Sequence, residues 1–199
     1  MALQKPYWKS WPYFLFKHYT MTTAIKPVLT VPEGHLEAIT CLAFSHDGQY
    51  ILTGSADTTA KIWNLKSQML RTVKGFEQPV QSLAFSKSNE RYAVGSAEKT
   101  MVYEAESGDW LQTYEQGGIV AFHPEAEQIV VANGGVGISF FNFNSAEPVL
   151  TINHTSETGI SNMTFSPNGD LLATSDEEAN TFLIWDSTTG EKVVEVPLG

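Results

Sequence analysis

The sequence predicts an all-β protein assembled from four copies of one four-stranded antiparallel unit, and three observations carry that prediction. Short apolar runs rich in Ile, Val, Leu and Phe alternate with Gly, Asp, Asn and Ser, the pattern of strands joined by tight turns. The best-formed stretch runs from Gly34-His35 through Ala43-Phe44-Ser45-His46-Asp47-Gly48 and Gly54-Ser55-Ala56-Asp57 to Lys61-Ile62-Trp63-Asn64, and weaker copies follow it three times. Phe44 is echoed by Phe85, Phe122 and Phe165, at steps of 41, 37 and 43 residues. A single copy would leave both its faces bare, so the copies must stack on one another to close a core. With 199 residues, 42% hydrophobic and 12% aromatic, the chain has the material for one.

Two regions differ in charge. All 22 acidic residues lie at or after Glu33, while residues 1–32 hold only Lys5, Lys9, Lys17 and Lys26. The head therefore carries +4, and the body, with 8 basic against 22 acidic residues, carries −14. Such a body is a poor partner for nucleic acid, whose phosphates need a basic face.

Residues 1–24 read as an aromatic, basic extension without regular structure. Tyr7, Trp8, Trp11, Tyr13, Phe14, Phe16 and Tyr19 among lysines suit a lipid interface or an apolar groove on a partner, so any membrane contact is expected through residues 7–19. No apolar run approaches the ~20 residues of a spanning helix. Trp11-Pro12-Tyr13-Phe14-Leu15-Phe16 is too short and too aromatic for a secretory signal, and Met21 is an alternative start to Met1.

The strand-rich body covers residues 25–199, in units of about 25–73, 74–114, 115–152 and 153–199. Val28-Leu29-Thr30-Val31 reads as a strand ahead of the first unit, whose own strands are expected near Ala38 to Phe44, Tyr50 to Thr53, Ala60 to Asn64 and Met69 to Val73. The second unit offers Val80 to Ser86, Tyr92 to Ser96, Thr100 to Tyr103 and Trp110 to Tyr114. The third offers Ile119 to Phe122, Ile129 to Ala132, Ile138 to Asn142 and Val149 to Ile152. In the fourth, Ile160 to Phe165, Leu171 to Ser175, Leu183 to Asp186 and Val193 to Val196 follow the same order.

Four strands at a period of about 40 residues, the Gly34-His35 opening, the Phe-Ser turns at Phe44 and Phe165, and the endings Trp63-Asn64 and Trp185-Asp186 resemble the WD-repeat β-propeller family. The resemblance covers residues 28–199 and implies a β-propeller of four-stranded antiparallel blades. In that family a His, a Ser or Thr, an Asp and a Trp form a hydrogen-bonded tetrad in each blade. The resemblance puts these roles on His35, Ser55, Asp57 and Trp63, with a second candidate set at His154, Ser175, Asp176 and Trp185. In isolation His35, Ser55 and Asp57 invite comparison with a nucleophilic triad, but the repeat frame already accounts for all three. Blade two departs from the pattern with Phe76, Glu98 and Tyr103, so packing is expected to replace its tetrad, and blade three has neither the His nor the Trp. Family rings usually have seven blades. Four blades, with the strand before Gly34 lacking a partner sheet, imply an incomplete ring, finished by further C-terminal blades or by a second chain.

No His-Glu-x-x-His, no Gly-x-Ser-x-Gly and no phosphate-loop lysine occurs, so neither enzyme activity, cofactor nor metal is expected. His18, His35, His46, His123 and His154 follow the repeats and do not gather. Asn133-Gly134-Gly135-Val136-Gly137 reads as a hairpin turn, since no helix N-terminus follows to hold an anion. Cys41, the one cysteine, reads as a small buried strand residue and points to a reducing compartment, the cytoplasm or nucleus. Without a secretory signal, the glycosylation patterns at Asn153 and Asn162 are taken as chance. The resemblance implies a non-catalytic scaffold that binds other proteins through rim loops. Glu37, Glu77, Glu98, Glu157, Glu177 and Glu178 would give that rim an acidic surface for basic partners. Two other classes stand beside it: a regulatory sensor propeller within a larger multidomain protein, and an enzyme using the propeller as its frame.

Overall fold

The computed structural model describes residues 34–66, 68–133, 137–153, 159–176 and 180–197; of Asn133 and Asp176 it describes the backbone alone. The chain divides into two units, Met1–Thr30 and Val31–Gly199. The aromatic extension and the expected strand Val28 to Val31 lie outside the described residues.

The second unit is all-β. The first sheet contains β1 (Ile39–Phe44), β2 (Tyr50–Ser55), β3 (Ala60–Asn64) and β4 (Met69–Val73). The second contains β5 (Val80–Phe85), β6 (Arg91–Ser96), β7 (Thr100–Glu104) and β8 (Trp110–Tyr114). The third contains β9 (Ile119–Phe122), β10 (Gln128–Asn133), β11 (Gly137–Asn142) and β12 (Pro148–Asn153), and the fourth β13 (Asn162–Phe165), β14 (Leu171–Asp176), β15 (Thr181–Asp186) and β16 (Lys192–Pro197). Each sheet is a four-stranded antiparallel meander in chain order. The strands follow the expected ones to within a residue or two at most ends. Ile160, expected in a strand, is buried just ahead of β13.

Local chemistry sets the turns. After β1, Ser45 Oγ accepts the Tyr50 N–H at 2.9 Å and donates to Asp47 at 2.6 Å, while Gly48 takes a left-handed φ of 69°. Ser86 and Ser166 hold the same turns in the second and fourth sheets, accepting from Arg91 and Leu171 at 3.0 Å each. The third sheet uses His123 instead, whose Nδ1 accepts the N–H groups of Glu125 and Ala126. Each third strand also bulges against its fourth, between Ile62 and Trp63 and at the equivalent place in every sheet, which adds twist there.

The sheets stack in chain order: β1 lies against β5, β5 against β9, and β9 against β13. Leu52 and Ile62 of the first sheet pack on Phe85, Tyr92 and Tyr103 of the second. Ala93 and Val102 then meet Phe122, Ile129 and Phe141, and Val130 and Phe140 meet Met163, Leu172 and Trp185. Every interface thus joins the same two faces. On the outward face of the first sheet Leu42 and Phe44 are 67% and 64% exposed, and on that of the fourth Val194 is exposed.

Candidate functional site

Residues two apart on a strand share a face, and a diagonal neighbour across the ladder lies within reach of a long side chain. Ile51 stands opposite Trp63 and Thr53 opposite Lys61, so the Trp63 indole meets Thr53 one diagonal step away. Its N–H donates to Thr53 Oγ1 at 2.9 Å, and the Thr53 hydroxyl donates to His35 Nε2 at 2.7 Å. His35 Nδ1–H donates to the Asp57 carboxylate, 3.0 Å from Oδ2. The network itself assigns the tautomer, since Nε2 must receive a proton and Nδ1 must offer one.

Asp57 collects further donors: the Leu36 N–H at 2.9 Å, the Thr59 hydroxyl at 2.6 Å and the Thr59 N–H at 3.0 Å. Burial alone would push this carboxyl up. The hydrogen bonds from Thr59, Leu36 and His35 outweigh it and hold the group far below the usual carboxylate range. The imidazole and carboxylate side chains are 1% and 7% exposed, so neither offers a free reactive edge to solvent. The loop leading into β1 is tied to the β2–β3 turn by this chain.

Ser55, expected between His35 and Trp63, does not join them. It shares Thr53's face but lies one step farther along β2, where it accepts the Asp57 N–H at 3.1 Å and donates to the Glu37 carbonyl oxygen at 3.3 Å. In the fourth sheet Trp185 stands opposite Leu172 and donates to Thr174 Oγ1 at 3.0 Å. Ser175, expected in that role, falls on the other face, with its hydroxyl 3.1 Å from that of Ser161. His154, Glu157, Glu177, Glu178 and the side chain of Asp176 lie outside the described residues.

The other two sheets keep the register and change the chemistry. Tyr103 stands opposite Tyr92, their rings stacked at 5.2 Å, with Val94 at the place of Thr53 and Phe76 buried at the place of His35. Glu98 nevertheless accepts the Glu77 N–H at 2.8 Å, as Asp57 accepts that of Leu36. In the third sheet Phe141 stands opposite Ile129, Val131 takes the hydroxyl's place, and Tyr114 packs on Phe141 with ring centroids 4.5 Å apart. Of the acidic rim expected from the sequence, Glu37 and Glu77 are exposed, whereas Glu98 is half-buried and committed to its loop. Cys41 is half-buried beneath Val80, and burial pushes its thiol up.

Sequence reasoning missed Thr53, Thr174 and Thr59. A signal for the first two was present: nine residues after each phasing Phe stand Thr53, Val94, Val131 and Thr174, and threonine occurs where the third strand carries Trp.

Four stacked antiparallel meanders, two of them with a Trp indole bonded to a strand threonine, are blades of a β-propeller. Two stretches of the chain, residues 26–64 and 146–186, match the WD40 model, described as WD domain, G-beta repeat, consistent with a WD-repeat protein. Three Arabidopsis thaliana proteins show the same likeness. The chain is 23% identical to a WD repeat-containing protein 26 homolog, over 82% of this chain and 29% of that protein. It is 25% identical to the transcriptional corepressor LEUNIG_HOMOLOG, over 85% and 22%, and 26% identical to a guanine nucleotide-binding protein subunit beta, over 90% and 40%. The chain thus spans less than half the length of each of these relatives.

Proposed function

We propose that this chain is a non-catalytic scaffold that presents the loops leading into its blades to other proteins. One observation carries the reading: Asp57 and Glu98 each fix a leading loop by its first amide, at 2.9 and 2.8 Å, while Glu37 and Glu77 on those loops stay exposed. A loop already fixed loses little entropy on binding. One of its relatives is named a subunit of a guanine nucleotide-binding protein and another a transcriptional corepressor, which supports this reading. Each tetrad side chain that resembles a catalytic group is occupied by its neighbours, which supports a structural role. With a body of net charge −14, a basic surface is the partner of choice, and attraction would speed its approach at low salt.

We further propose a reducing compartment, the cytoplasm or nucleus, a reading that a sequence with a single cysteine supports. In the working assembly, Leu42 and Phe44 at one end and Val194 at the other are covered by further blades or a second copy.

The test is a charge reversal. Glu37→Lys with Glu77→Lys should weaken capture of a lysine- and arginine-rich peptide severalfold at low salt and flatten its salt dependence. Unchanged capture, with the same salt dependence, would overturn the basic-partner reading.

A further inference from the structure

The residue that follows each third strand occupies a repeated place. Ala105, Phe143 and Ser187 donate their N–H groups to the carbonyl oxygens of Glu90, Glu127 and Asp170, at 2.8, 3.1 and 3.0 Å. Each therefore stands beside the first turn of its own blade, and Ala105 and Ser187 line clefts shared with Arg71 and Leu150, on the outer strands of the blades before. Leu65, in the same position after β3, is exposed.

Between the second and third sheets this place is filled. The Phe143 ring lies edge-on to Phe122 at 5.6 Å, and the Arg91 guanidinium of the preceding blade sits over it at 4.2 Å. Between the first and second sheets the equivalent residue is Ala105, and a cleft of about 310 Å³ remains beside Ile62, Arg71 and Phe85. Between the third and fourth sheets it is Ser187, and the cleft grows to about 500 Å³. Phe140 and Leu150 give this cleft an apolar wall, His123 and Gln128 give it a polar one, and Asp170 lines it as well.

The molecule thus shows, one blade away, what such a cleft receives: an aromatic ring with a cation above it. In the larger cleft the ring is missing and Gln128 replaces the arginine. The charges beside it are acidic. Glu125 is already paired with Lys87, while Asp170 accepts from the Asn168 amide at 2.5 Å, lies near the His123 ring, and makes no ion pair with a lysine or arginine among the described residues. We infer that the cleft between the third and fourth blades docks an extended peptide of a partner protein, which inserts an aromatic side chain where Phe143 sits in the neighbouring cleft and sets an adjacent lysine or arginine against Asp170. The first turns of the blades lie at the opposite end of the strands from the tetrad. This site is therefore separate from the leading-loop surface and stands or falls without it.

The probe is the dipeptide N-acetyl-Phe-Lys amide, titrated at millimolar concentration into the full chain and followed by amide NMR. Saturable shifts are expected at His123, Gly169 and Ser187. Ser187→Phe carries its own plug and should lose the response while keeping a dispersed spectrum; Ser187→Leu serves the same purpose if the larger ring does not fold in. Phe143→Ala should open the middle cleft and add a second set of shifts around Arg91 and Glu127. Asp170→Asn should weaken the lysine-containing probe severalfold and leave N-acetyl-Phe amide unaffected. No saturable shift at the three amides, or equal binding to the plugged variants, would overturn the inference.

Discussion

In the first blade Trp63, Thr53, His35 and Asp57 form a directional chain of donors and acceptors; in the second, Tyr103 stacked on Tyr92, with Val94 and Phe76, fills the same volume. Only the carboxylate survives in both, on the Leu36 amide in one and the Glu77 amide in the other. The comparison teaches that the carboxylate–amide cap is what places the leading loop, and that the space beneath can be filled in either of two ways. The two fillings differ in how they fail. A hydrogen bond adds about 1 kcal/mol net, but a buried group deprived of its partner costs about 1–3 kcal/mol. The polar chain should therefore be brittle where the apolar one is forgiving.

The largest effect is expected at the cap. Asp57→Ala strips acceptors from the Leu36 and Thr59 amides, the Thr59 hydroxyl and His35, and should lower stability by about 3 kcal/mol. Glu98→Ala frees one amide of an exposed residue and should cost no more than about 1 kcal/mol by the same reasoning. Urea unfolding of both variants measures the gap, and equal losses would break the comparison. Acid sharpens it. The folded Asp57 carboxyl is depressed, so its stabilisation is complete above the unfolded value of about 3.9 and fades as pH falls through the folded value. The stability gap between wild type and Asp57→Asn should accordingly be widest near neutral pH and begin to narrow only below about pH 4, shrinking progressively as acid is added.

Next comes the hydroxyl. Thr53→Val leaves the Trp63 N–H and His35 Nε2 facing a methyl group, for a loss of about 2 kcal/mol. Adding Trp63→Tyr and His35→Phe should recover part of it, since the triple variant recreates the filling of blade two. Strict additivity of the three losses would show that the residues do not act as a unit.

Most of the fold was legible because strand period, turn chemistry and the recurring Phe are all local signals. Repetition converts several weak matches into one register. The tetrad was legible at His35, Asp57 and Trp63 and misread at the hydroxyl. Ser55 lies on the correct face, and only the pairing of Ile51 with Trp63 puts Thr53 at the diagonal. Ser175 was misplaced for a different reason: the turn between Thr174 and Trp185 is one residue longer than that between Thr53 and Trp63, which obscures the face of each residue in between. The plugging of one inter-blade cleft by Phe143 could not be read locally, because it depends on Arg91, a residue of the preceding blade, lying opposite the ring.

The smallest effect tests the principle in reverse. Thr100 is fully buried between Gly95 and Tyr114, and its hydroxyl has no partner among the described residues; the first blade has Ala60 at the equivalent position. Thr100→Val makes the same chemical change as Thr53→Val in a strand of the same kind, with nearly the same volume. Here it removes an unsatisfied group, so stability should hold or rise by up to about 1 kcal/mol. Opposite signs for the two substitutions, measured by thermal unfolding, would assign the cost at Thr53 to its hydrogen bonds. A loss at Thr100 equal to that at Thr53 would assign both to the shape of the threonine side chain, and the contrast between a brittle and a forgiving blade would go with it.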